Sequence, residues 1–199
     1  MVARFKMKLF FLFIAIHFLL SACSTIATGG AEVTGLSLLH DRRSSAVILS
    51  DERIEINAVS KLIAKSDIRK ACHINVTSYN GIVLVTGEAP TEELRNKIIN
   101  IVRKIAGVKI IHNELAIAEP SSYISRTEDT FITTRIKSAI SKVKNLPGFD
   151  ATRVKVITED NIVYLLGIVH KKEGLVATEI ARRENGVKQV VKVFEYIDY

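Results

Sequence analysis

The chain has 199 residues, is 48% hydrophobic and carries a formal charge of +7, a size that suits one ordinary domain or two small ones. Loss of Arg4, Lys6 and Lys8 with an N-terminal leader would lower that charge to +4, too mild an excess to point to a nucleic-acid partner. Two cysteines, Cys23 and Cys72, cannot build a disulfide framework.

Residues 1–22 have the parts of an export signal: cations at Arg4, Lys6 and Lys8, an apolar stretch from Leu9 to Leu20, then small residues. About twelve apolar residues are too few for the roughly 20 that a membrane-spanning helix needs. Leu20-Ser21-Ala22-Cys23 resembles the bacterial lipobox. That resemblance implies cleavage before Cys23 and acylation of Cys23, hence a chain anchored to a bilayer rather than crossing it. Ser24, where Asp would resemble an inner-membrane retention signal, favours the outer membrane. Residues 23–50 read as the lipidated cysteine and a mostly flexible tether, with Val47-Ile48-Leu49 able to dock.

From residue 51 onward the chain repeats itself. Asn80-Gly81-Ile82-Val83-Leu84-Val85-Thr86-Gly87 returns as Asp160-Asn161-Ile162-Val163-Tyr164-Leu165-Leu166-Gly167, and Gly107-Val108-Lys109 returns as Gly186-Val187-Lys188. Each copy opens with an amphipathic helix, marked by Ile54, Ala58 and Leu62 in the first and by Ile132, Ile136, Ala139, Ile140 and Val143 in the second. Asp51 and Thr130 are the expected N-caps. A strand with Ile74 and Val76, or Val154 and Val156, leads to a hairpin turn at Asn80-Gly81 or Asp160-Asn161, where both residues tolerate positive φ. The second strand ends at Gly87 or Gly167. A second helix follows, then a closing strand from Val108 or Val187. The expected fold is α+β: two tandem αββαβ modules, residues 51–118 and 126–199, joined by a linker at 119–125. In each, a three-stranded sheet is covered by two helices, and some surface is buried between the copies.

Catalytic chemistry is hard to find. The histidines His40, His73, His112 and His170 are scattered, with no His-x-x-x-His, Cys-x-x-Cys or paired-carboxylate spacing, so no metal ligands or cofactor are expected. No Gly-x-Ser-x-Gly and no phosphate-cradling glycine loop occurs. Cys72, in phase with Ile74 and Val76, reads as a small apolar residue rather than a nucleophile.

The segment richest in binding chemistry is 125–144, where Arg126, Arg135, Lys137, Lys142 and Lys144 surround the apolar stripe. Phe131 falls about 100° from Ile132 around the helix. Periodicity alone favours a Phe131 folded into the core, with the cations solvating the outer face. An outward Phe131 beside cations would instead suit a lipid surface. The first copy's opening helix, with Glu52, Arg53, Glu55, Lys61 and Lys65, has mixed charge and suits a protein contact better.

An export signal, a lipobox and two αββαβ units, with His73-Ile74-Asn75-Val76-Thr77-Ser78-Tyr79-Asn80-Gly81 and Phe131-Ile132-Thr133-Thr134-Arg135-Ile136 inside them, resemble the dual-BON-domain outer-membrane lipoproteins. The resemblance implies a non-enzymatic protein on the periplasmic face of the outer membrane. It also implies binding of anionic phospholipid through the first helix of the second BON domain, support of envelope integrity, and association with the β-barrel assembly machinery. Carried onto this chain, the lipid-binding residues are Phe131, Ile132, Thr134, Arg135, Lys137 and Ser138. Related proteins carry Trp at the position of Phe131, and Phe favours the interface less.

Overall fold

A computed structural model describes residues 41–197. The leader, the lipobox, Cys23 and the tether up to residue 40 lie outside the described residues.

The first module runs α1 (Ser45–Ile63), α2 (Ser66–Ala71), β1 (His73–Tyr79), β2 (Ile82–Ala89), α3 (Glu92–Arg103) and β3 (Ile110–Ile117). The second runs α4 (Tyr123–Ser141), a 3-10 turn at Ala151–Arg153, β4 (Lys155–Glu159), β5 (Ile162–Val169), α5 (Lys171–Arg182) and β6 (Gln189–Tyr196). Apart from the short extra helix α2 in the first module, which the sequence reading did not anticipate, the αββαβ order occurs twice. In each sheet the second strand is central, antiparallel to the first across the hairpin and parallel to the third across the helix.

The hairpins turn where the sequence indicates. Asn80 and Gly81 have φ of 53° and 78°, and Asp160 and Asn161 have 48° and 63°. Positive φ at both turn residues matches the right-handed twist of the flanking strands.

The central strands explain the unbroken apolar runs. Val83 and Val85 point to the helices of module one, packing with Ile54, Ala58, Leu62, Ile98 and Val102. Val163 and Leu165 do the same with Ile132, Ile136, Ile140, Ala177 and Ala181. The intervening residues Leu84, Tyr164 and Leu166 point the other way and meet Tyr79 and Val193 in a third core between the sheets. Each central strand is thus apolar on both faces because both are buried, one under helices and one against the sister sheet.

Three local expectations change. Both opening helices start a turn or more early, capped by Ser44 and Ser122, whose side chains accept from Val47 N and Ser125 N. Asp51 and Thr130 therefore lie inside helices rather than at their caps. Residues 45–50, expected to belong to the tether, are helical instead: Ile48 is buried in α1, and Arg42 reaches module two, donating to the Ile168 carbonyl at 2.8 Å and pairing with Glu173 at 2.6 Å. Finally, Gly87 and Gly167 are not strand ends, since β2 continues to Ala89 and β5 to Val169. A Cβ at either position would collide with a backbone carbonyl, of His73 or of Arg153, so glycine is required there by close approach.

Candidate functional site

The two opening helices do the same structural task through a buried acid. Asp51 accepts from Asn80 N at 2.7 Å, Gly81 N at 2.8 Å and Ser78 Oγ at 2.6 Å. Asp129 accepts from Asp160 N at 2.9 Å and Asn161 N at 2.8 Å. Each helix therefore holds its module's hairpin turn by the backbone amides. Arg43 adds a charge partner to Asp51 at 2.9 Å while lying 3.7 Å over the Tyr79 ring. Burial alone would raise the Asp51 pKa, but the hydrogen bonds from Ser78, Gly81, Asn80 and Arg43 outweigh it and hold the carboxyl below its ordinary range.

Pairing the two aspartates aligns the helices, and their outward faces differ. Position 53 of α1 is arginine where α4 has Phe131. Phe131 is 60% exposed, so it projects outward rather than into the core. Ile124, seven residues earlier and therefore on nearly the same line along the helix, is 75% exposed. Tyr123 is also exposed, with the Arg126 guanidinium 5.2 Å from its ring. Ile124 and Tyr123 escaped the sequence reading because the helix was expected to begin after them.

The predicted lipid-binding residues separate into two groups. Phe131, Thr134, Arg135, Lys137 and Ser138 are exposed on α4. Ile132 is 2% exposed and packs in the core of module two, so its place in that set is corrected: it fixes the helix from beneath and cannot reach a bilayer without unpacking. The Thr134 hydroxyl donates to the Thr130 carbonyl of its own helix, at 2.8 Å. Arg135 is already engaged, with Nε 2.6 Å from Glu184 and Nη2 donating to the Asn185 carbonyl at 2.9 Å. Exposed pairs of this kind contribute only about 0–1 kcal/mol, so the guanidinium can exchange partners at little cost. Lys137 has no ion pair among the described residues, and lost hydration together with repulsion from Lys155 lowers its pKa. Glu128, one turn from Phe131, tempers the positive charge of this face.

On α1 the exposed residues Leu49, Ile56 and Ile63 recur every seven residues, with Val59 beside them. That is an apolar seam on the side of the helix opposite Ile54, Ala58 and Leu62. At the corresponding positions α4 carries Thr127, Thr134, Ser141 and Lys137. One scaffold thus shows an aliphatic seam in module one and an aromatic flanked by cations in module two.

Cys72 is half-buried between α2 and β1 and packs against the core of module one. Burial, with Asp67 nearby, pushes its thiol pKa up, the opposite of what a nucleophile needs. No helix among the described residues is long and apolar enough to cross a membrane.

The BON domain family model matches residues 50–119 and again 128–198. Outer membrane lipoprotein DolP of Haemophilus influenzae is 31% identical over 182 residues, covering 90% of this chain and 91% of that protein. The 21 kDa hemolysin of Actinobacillus pleuropneumoniae is 36% identical over 160 residues, 79% of each chain. Among solved structures, the C-terminal domain of CdsD, a structural protein of the type III secretion system of Chlamydia trachomatis, aligns with 13% identity and a TM-score of 0.29 over 74% of this chain and 67% of its own. Two matched modules, each an αββαβ unit with its hairpin tied to its opening helix, establish that the chain belongs to the BON domain family.

Proposed function

We propose that this protein is a non-enzymatic outer-membrane lipoprotein that binds anionic phospholipid through the exposed face of α4 and supports the integrity of the outer membrane. Its anchor is Cys23, acylated after removal of residues 1–22, and its folded part lies on the periplasmic face. The similarity to an outer membrane lipoprotein supports the location. The observation that carries the lipid assignment is the exposure of Ile124 and Phe131 on one line of a helix whose opposite side is buried. Moving part of such side chains into an acyl boundary gains at most about 1.5–3 kcal/mol each, and a basic residue near an anionic surface adds about 1 kcal/mol. A total of about 4 kcal/mol corresponds to roughly millimolar affinity. That would be weak for a free protein, but an acyl anchor keeps the site beside the bilayer at high effective concentration.

A second reading rests on the α1 seam. Leu49, Ile56, Val59 and Ile63 would suit an apolar surface on a protein partner, with the β-barrel assembly machinery as the candidate. Both readings can hold together because they use different modules.

The test is an NMR titration of the chain starting at Ser24 with anionic and zwitterionic micelles. Lipid binding through α4 predicts shifts at Ile124, Phe131, Thr134, Lys137 and Ser138 with anionic micelles only. Shifts centred on Ile56, or none at all, would refute that assignment. Anchoring is checked separately: Cys23→Ala should incorporate no palmitate, and normal labelling of that variant would refute the lipid site.

A further inference from the structure

Where the two modules meet, three ligand-type side chains converge that no sequence spacing links. His73 comes from β1, Glu88 from β2 and Glu159 from β4 of the other module. His73 Nδ1 lies 3.1 Å from Glu88 Oε2 and 3.6 Å from Glu159 Oε1, and the donor atoms of all three are within 4.8 Å of one another. Glu88 and Glu159 are buried, while His73 retains partial access to solvent.

We propose that His73, Glu88 and Glu159 form a binding site for a divalent transition metal of the zinc class, which links the first module to the second. Nitrogen and carboxylate oxygen donors at about 2.0–2.2 Å from a tetrahedral Zn2+ are separated from each other by about 3.3–3.5 Å. The two separations at His73 bracket that edge, and the two carboxylates offer oxygens within 4.8 Å of each other, so a metal would draw the three donors together by side-chain movement. Water, entering on the open side of His73, would complete four-coordination.

Charge points the same way. Among the described residues no Lys or Arg forms an ion pair with Glu88 or Glu159, so His73 is their only cationic partner. Two buried carboxylates beside one histidine leave a net negative charge even when the imidazole is protonated. A divalent cation bound to neutral His73 and both carboxylates brings the sum to zero and removes the cost of an uncompensated buried charge.

The remaining carboxylate contacts orient the donors as outer partners do in metal sites. Asn75 Nδ2 donates to Glu159 Oε2 at 2.7 Å and the Thr86 hydroxyl to the same oxygen at 3.2 Å, leaving Oε1 turned towards His73. Ser121 N, in the segment joining the modules, donates to Glu88 Oε2 at 3.1 Å. Glu159 is thus positioned by residues of module one, so a bound ion would stabilise the seam as well as the site.

The experiment uses the full chain in detergent, stripped of metal with a chelator and titrated with Zn2+ or with Co2+ as a spectroscopic probe. The proposal predicts one ion bound per chain, a rise in Tm on adding Zn2+, and the strong visible absorption of tetrahedral Co2+. His73→Gln and the isosteric Glu159→Gln should each weaken binding by at least about tenfold. Circular dichroism reports whether each variant is folded, and Glu88→Gln serves as the third ligand change. If the wild-type chain binds no metal at micromolar concentrations, or if folded His73 and Glu159 variants bind as well as wild type, the proposal is wrong. The cluster would then be a histidine held between two carboxylates, or the metal would sit elsewhere.

Discussion

Asp51→Ala is expected to lower the stability of the folded chain by about 3 kcal/mol or more, measured by denaturant unfolding. The side chain accepts hydrogen bonds from two backbone amides of the Asn80-Gly81 turn, the Ser78 hydroxyl and the Arg43 guanidinium. Its removal leaves buried donors without partners, each costing about 1–3 kcal/mol. Asp129→Ala should cost less, about 2 kcal/mol, because among the described residues Asp129 serves only the two turn amides of Asp160 and Asn161. The pH dependence carries a definite sign. The native Asp51 pKa is depressed, so its contribution is fully present above the unfolded value of about 3.9 and is lost as pH falls through the lower native value. The gap in stability between wild type and Asp51→Ala should therefore be constant from neutral pH down to about 5 and close in stronger acid. A gap that widened on acidification would contradict the assignment.

Phe131→Glu is expected to reduce partitioning into anionic vesicles by about tenfold to a hundredfold while leaving the fold intact. The substitution removes a ring that is 60% exposed and puts a carboxylate beside Glu128, next to phosphates of the same sign. Because Phe131 is not part of the core cluster formed by Ile132, Ile136 and Ile140, far-UV circular dichroism and Tm should change little. Ile56→Glu, on the corresponding face of α1, should leave partitioning unchanged. Equal losses in the two variants would mean that the membrane contact is not specific to α4.

The repeat, the hairpin turns and the shared αββαβ order, though not the extra helix α2, were legible because their signals are local. Asn80-Gly81 and Asp160-Asn161 determine their turns through their own φ preferences, and Ile54, Ala58 and Leu62 mark a helix by spacing alone. The helix starts were harder to place because the early outward residues Leu49, Tyr123 and Ile124 break the core period. An aspartate near a helix start reads as a cap, yet the backbone amides that Asp51 holds lie some thirty residues away in the hairpin. Gly87 and Gly167 read as strand ends because the close approach of a neighbouring carbonyl leaves no mark in the sequence. His73, Glu88 and Glu159 were invisible for the same reason: three strands from two modules bring them together, and no motif spacing records it.

The lipid assignment is tested most directly by the position of residue 131 relative to the bilayer. The chain contains no tryptophan, so Phe131→Trp introduces a single fluorescent reporter at that point. With anionic vesicles its emission should shift to the blue and be quenched by lipids brominated on the upper acyl chain, and both effects should weaken with added salt. Emission unchanged by anionic vesicles, from a variant that remains folded, would contradict the account.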